Sequence, residues 1–142
     1  MIAQAFAEII RFNRIKAQTN ETIEEILYEL GTPPGMRYDK IRVQSTPQNR
    51  MESMIVKLET LKAKAYDADV QIDARMGIIE EIQHSMNVYT SDEWKVIKCR
   101  YWKGYSLKRT EDETGFSFRK VRRLVGRIKR KNLLLDGGIL DK

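Results

Sequence analysis

Apolar positions recur at helical intervals through most of the chain. Ile2, Phe6, Ile9 and Ile10 share one face, and Ile23, Ile26, Leu27 and Leu30 resume the pattern, which predicts a helix over the first thirty residues. Asn13, Thr19 and Asn20 interrupt the stripe in its middle. Gly31 suits a C-terminal cap, and Pro33-Pro34-Gly35 forbids continuation. Residues 31–46 therefore read as a linker, too long for a tight turn, in which Arg37, Lys40 and Arg42 are solvated.

A second, longer helix is predicted from Thr46-Pro47, where Thr can cap and Pro fits the first helical position. Intervals of three and four run through Met51, Met54, Leu58, Leu61, Ala65, Ala68 and Ile72, then Ile79, Ile82 and Met86. Only Arg75 breaks the register, with Met76 beside it. Spacing sustained this long indicates a coiled-coil seam, and the small Ala65 and Ala68 allow a neighbouring helix to approach closely. Two neighbours fit: residues 2–30 folded back antiparallel, or the same helix of a second subunit. The hairpin is the favoured reading, and leftover apolar surface leaves a homodimer open as well.

Asn87 to Thr90 break the long helix, and Thr90-Ser91-Asp92-Glu93 is a capping box that starts a new one. Trp94, Ile97 and Tyr101 mark one face of a helix ending before Gly104. Ser106 can cap a short helix over 107–114, Gly115 supplies a turn, and Ser117 caps a third helix running to about Lys131. Phe116 and Val121 flank that cap at the positions of a hydrophobic staple. Helix, short helix, Gly turn and helix is the helix-turn-helix pattern. The predicted fold is thus all-α: a long-helix antiparallel coiled-coil hairpin over 1–89, a three-helix helix-turn-helix domain over 90–131, and a tail over 132–142.

Charge changes this picture from architecture to function. Residues 1–89 carry 11 Lys/Arg against 13 Asp/Glu, whereas residues 90–131 carry 14 against 5, a balance of +9 within a chain of net charge +6. Positive charge concentrated in one small domain is the electrostatic footprint of a polyanion binder, with nucleic acid the first candidate. On the third helix, rotation of about 100° per residue places Val121, Leu124, Val125 and Ile128 inward. Arg119, Arg123, Gly126 and Arg130 then point outward, with Lys120, Arg122 and Arg127 on the flanks. Arg119, Lys120 and Arg123 are placed to read base edges in the major groove of double-stranded DNA, where a guanidinium can bond guanine O6 and N7 together. Arg122, Arg127 and Arg130 fall to phosphates, and Gly126 would let the helix lie close to the duplex. Ser117 is foremost a cap whose position also allows a phosphate contact, and Phe118 either packs or touches a thymine methyl. A basic helix can also be a merely solvated face or meet an acidic partner, but neither use needs two capped helices set before it.

The remaining composition narrows the alternatives. Within 142 residues, 42% are apolar, and no window approaches the eighteen consecutive apolar residues of a membrane span. Acids and bases arrive too soon after Met1 for a signal peptide. A single cysteine, Cys99, and a single histidine, His84, make neither an internal disulfide nor a zinc site, so a reducing cytoplasm is expected. Those two residues also form no nucleophile–base pair, and no phosphate-cradling Gly loop is present. Glu111-Asp112-Glu113 point three ways from a helix and read as a solvated patch, not a metal site. No enzyme, cofactor or metal is expected.

Tyr101-Trp102-Lys103-Gly104-Tyr105-Ser106, followed by Thr114-Gly115-Phe116-Ser117 and Val121, resembles the helix-turn-helix of sigma-factor region four. The whole layout resembles the small phage transcriptional regulators of the RinA and ArpU type, including a linker with Thr32-Pro33-Pro34-Gly35, Tyr38 and Thr46-Pro47. The resemblance implies a phage-encoded activator of late genes in the cytoplasm of a bacterial host, acting with the host RNA polymerase. Where that family places Ile, Ala and Leu along the scaffold helix, this chain has Thr110, Glu111 and Thr114, which predicts looser or shifted packing there. A small terminase subunit of a DNA-packaging machine is the alternative. That class is expected to place its DNA-binding unit before the oligomerising helices, the reverse of the order here.

Overall fold

The computed structural model describes residues 2–31 and 47–138, and these contain helices and no strand. Helix α1 spans Ile2–Gly31, α2 Pro47–Met86, α3 Ser91–Ile97, α4 Leu107–Thr114 and α5 Phe118–Leu133. α3 and α5 each continue into one π-helical turn, over Lys98–Trp102 and Leu134–Gly138. The predicted linker lies outside the described residues apart from Gly31, as does the Thr46 cap. α1 runs unbroken past Asn13, Thr19 and Asn20, and Thr19 is itself buried.

By compactness the chain divides into residues 1–13 with 70–142, and residues 14–69. This line differs from the boundaries at 89/90 and 131/132 suggested by pattern and charge. In the first unit, Ile2, Ala5, Phe6 and Ile9 of α1 and Ile72, Met76 and Ile79 of α2 share one buried core with Tyr89, Val96, Ile97, Tyr101, Leu124 and Ile128. Phe6 sits at its centre, edge-on to Tyr101 with ring centroids 4.8 Å apart and to Tyr89 at 6.2 Å. Arg75, the residue that breaks the α2 stripe, donates to the Glu8 carboxylate at 2.8 Å, and this bond holds that carboxyl below its usual range.

The segment after Lys131 is not a free tail as far as Gly138. Asn132 is buried and accepts a hydrogen bond from the Tyr89 hydroxyl. Leu135 packs on the core. The Asp136 carboxylate accepts from the Ile2 and Ala3 amides at 2.6 and 2.8 Å, satisfying orphan donors at the start of α1.

In the second unit, Lys16 pairs with Asp69 and Glu29 with Arg50, each at 2.8 Å, so later residues of α1 meet earlier residues of α2. Thr19, Ile26, Leu58 and Ala68 are buried there, and Met54, Leu61 and Ala65 are half-buried. Two positions depart from the predicted seam along α2. Met51 and Met86 are 48% and 60% exposed, because the stripe is covered between Met54 and Ile82 and not at its ends.

Candidate nucleic-acid interface

The candidate interface lies on three capped helices. The Thr90 hydroxyl accepts from the Glu93 amide at 3.2 Å while the Glu93 carboxylate accepts from the Thr90 amide at 3.0 Å, completing the capping box of α3. Ser106 caps α4 by accepting from the Arg109 amide, and Ser117 caps α5 by accepting from the Lys120 amide. Between them Gly115 takes a left-handed conformation, φ 77°, and ends α4 by donating to the Glu111 carbonyl. A side chain at that φ would be strained, so glycine is what allows so short a turn.

The exit from α3 needs a second glycine. Its π-helical turn closes with the Lys103 amide donating to the Lys98 carbonyl, and Gly104 follows at φ 71°. A Cβ at Gly104 would stand 2.7 Å from Asn13 Oδ1, while Asn13 Nδ2 donates to the Tyr101 carbonyl at 2.7 Å. A residue of α1 thereby satisfies a carbonyl that the widened turn leaves without a helical partner. Arg100 does the same for Tyr105, donating to its carbonyl at 2.7 Å.

α4 packs against α3 and α5. Its threonines bond within their own helix. Thr110 is fully buried and its hydroxyl donates back to the Ser106 carbonyl at 2.8 Å; the Thr114 hydroxyl donates to the Thr110 carbonyl at 2.6 Å. Both hydroxyls are satisfied within the helix, so burying Thr110 carries little desolvation cost. Glu111 stays half-exposed.

On α5 the inward face is as expected: Val121, Leu124 and Ile128 are buried and Val125 is half-buried. Arg119, Arg122, Arg123, Arg127 and Arg130 are all exposed. Among the described residues, the ion pairs made by α5 are those of Lys120 with Asp92 at 3.1 Å and Lys131 with Glu93 at 2.6 Å. Lys120 is therefore engaged: its ammonium also lies 4.2 Å from the Phe116 ring centroid. Lys131 closes a buried network, since Glu93 is 1% exposed and Lys131 also donates to the Val88 carbonyl. Ser117 is exposed with its hydroxyl used as a cap, and Phe118 is 45% exposed with the Arg122 guanidinium 5.8 Å from its ring centroid.

Two features of α5 run against helix stability. Its first turn holds Arg119 and Lys120 and no acid, whereas the helix dipole favours anions there by about 0.3–1 kcal/mol per charge. Gly126 sits mid-helix, and beyond its chain neighbours and its own helical backbone nothing lies within 4 Å of where a Cβ would be, at a cost of about 1 kcal/mol relative to alanine. No contact within the protein explains either choice.

A further basic group surrounds Tyr105. Lys103, Lys108 and Arg109 are exposed around the start of α4, with the Arg109 guanidinium 4.0 Å from the Tyr105 ring centroid. The charge balance of 90–131 already contained them, and their closeness in sequence is the signal that could have found them. The described residues hold no cluster of three or more His, Cys, Asp or Glu placed to bind a metal, and no helix long and apolar enough to cross a membrane. No protein-family model, curated protein or solved structure matches the chain.

Proposed function

We propose that the chain is a sequence-specific double-stranded DNA-binding regulator of transcription, in which α4, the Gly115 turn and α5 act as a helix-turn-helix and α5 enters the major groove. The observation that carries this reading is the exposed row of five arginines on a helix whose opposite face is buried. Arg119 and Arg123, one turn apart near the start of α5, are the base readers. Arg122, Arg127 and Arg130 hold phosphates, joined by Lys108 and Arg109 from α4. Lys120 takes a lesser part than its position suggests, because Asp92 and Phe116 hold its ammonium beside the protein. In the same reading the long helices form an antiparallel hairpin. The likeness to RinA and ArpU regulators supports a phage-encoded late-gene activator that works in a bacterial cytoplasm with the host polymerase.

Selection of the purified chain on a pool of random duplexes tests the proposal. An enriched motif is the expected result, and recovery of an unenriched pool at physiological salt sinks it.

Gly126 separates binding from folding. Gly126→Ala should raise thermal stability by about 0.5–1 kcal/mol, since a helix interior gains and nothing is struck. The same methyl faces the duplex, so affinity for the selected site should fall. Thermal unfolding and a binding titration on one preparation check the opposite signs.

A further inference from the structure

Residues 14–31 and 47–69 leave more large apolar side chains in water than they bury. Ile26 and Leu58 are covered, whereas Met51, Ile55 and Tyr66 of α2 are 48%, 43% and 71% exposed. Ile55 and Tyr66 belong to a stripe that also contains the exposed Glu59 and Lys62. At about 100° per residue these four positions fall within an arc of about 60° on one side of the Leu58–Leu61 seam.

The order of the stripe identifies what covers it. Read forward it is apolar, acid, base, apolar at intervals of four, three and four residues. The intervals are the same in reverse, and only the acid and base exchange places. A two-fold axis through α2 between Thr60 and Leu61 would therefore set Ile55 on Tyr66 of a second copy and Glu59 on Lys62, each twice. A parallel pairing would instead oppose Glu59 to Glu59 and Lys62 to Lys62, which costs energy where the antiparallel one gains it. We infer that α2 carries a self-complementary face, and that residues 55–66 are the antiparallel contact of a homodimer. Isologous contacts of this kind close on themselves and leave no surface for a third copy. The inference concerns residues of the second unit and stands whether or not α5 reads DNA.

Charge reversal on the full chain tests it, because both residues are exposed and their replacement leaves the buried seam untouched. Sedimentation equilibrium at low salt is expected to give twice the 16.7 kDa of one chain. Lys62→Glu, and separately Glu59→Lys, should each weaken the dimer at least about tenfold, since the two-fold turns two attractions into two repulsions. Glu59→Lys combined with Lys62→Glu should restore it, as the swapped pair is again complementary. Direction is read by disulfide trapping: chains carrying Ile55→Cys should link to chains carrying Tyr66→Cys and not to one another, being about 16 Å apart along the axis. A monomer at high micromolar concentration, a dimer indifferent to both single reversals, or Ile55→Cys chains linking only to themselves would each overturn the proposal.

Discussion

Arg119→Ala combined with Arg123→Ala is expected to erase discrimination between the selected site and an unrelated duplex while leaving the protein folded. Each guanidinium bonded to a guanine edge contributes about 1–3 kcal/mol of preference for the right base, so the pair accounts for about 2–6 kcal/mol. Both side chains are exposed on the face opposite Leu124 and Ile128, and exposed substitutions of this kind usually change stability by less than about 0.5 kcal/mol. The effect therefore belongs to binding. Arg122→Ala, Arg127→Ala and Arg130→Ala serve as the contrast. Each should weaken both duplexes alike and reduce the salt slope by about 0.9, as expected when one phosphate is no longer neutralised by the protein. The measurement is a pair of titrations, cognate and unrelated, at several salt concentrations. If the Arg119/Arg123 double variant binds both duplexes more weakly by the same factor, those residues hold phosphates and the reader lies elsewhere.

How much of this was open to the sequence depended on whether a signal was local. Capping is local: the Thr90 box, the Ser106 and Ser117 caps and the Gly115 turn each involve residues two to four apart, and all are present. Periodicity is nearly as local, so α2 and the buried face of α5 followed from spacing. What spacing cannot carry is the identity of a distant partner. Lys120 occupies a suitable position for a base contact, but nothing near it in sequence announces Asp92, twenty-eight residues earlier, at 3.1 Å. Lys131 ends a basic run in the sequence, yet in the fold it neutralises a buried Glu93. Asn13 interrupts an apolar stripe and holds the exit of α3. Asp136, in a segment that reads as a tail, caps the first helix. In each case a polar or charged residue satisfies a backbone or charged group that the fold brings to it.

The same distant pairing yields the largest effect on folding. Charge divides the chain at residue 90, which invites the view that the basic domain stands alone. The core says otherwise: Phe6, Ile9, Ile72, Met76 and Ile79 are buried in one cluster with Ile97, Leu124 and Ile128. Phe6→Ala should therefore destabilise the unit that holds α5 by about 3–5 kcal/mol, the usual cost of removing a fully packed ring. Its edge-on packing with Tyr89 and Tyr101, removed by the same substitution, places the change toward the upper end. Against a total stability of about 5–15 kcal/mol, that is enough to lower the folded fraction at growth temperature when the starting value is small. Trp94 and Trp102 both pack against this core, so their fluorescence during denaturation reports the destabilisation directly. A fragment of residues 90–142 is the more severe version of the same experiment. It keeps every arginine of α5 but lacks Phe6, Ile9, Ile72, Met76, Ile79 and Tyr89, and it lacks the Ile2 and Ala3 amides that Asp136 binds. It should show little helix by circular dichroism and bind DNA only as a flexible polycation does, without sequence preference. A fragment that unfolds cooperatively and selects the same site as the whole chain would mean that the N-terminal turns are an accessory to the reading unit and not part of its core.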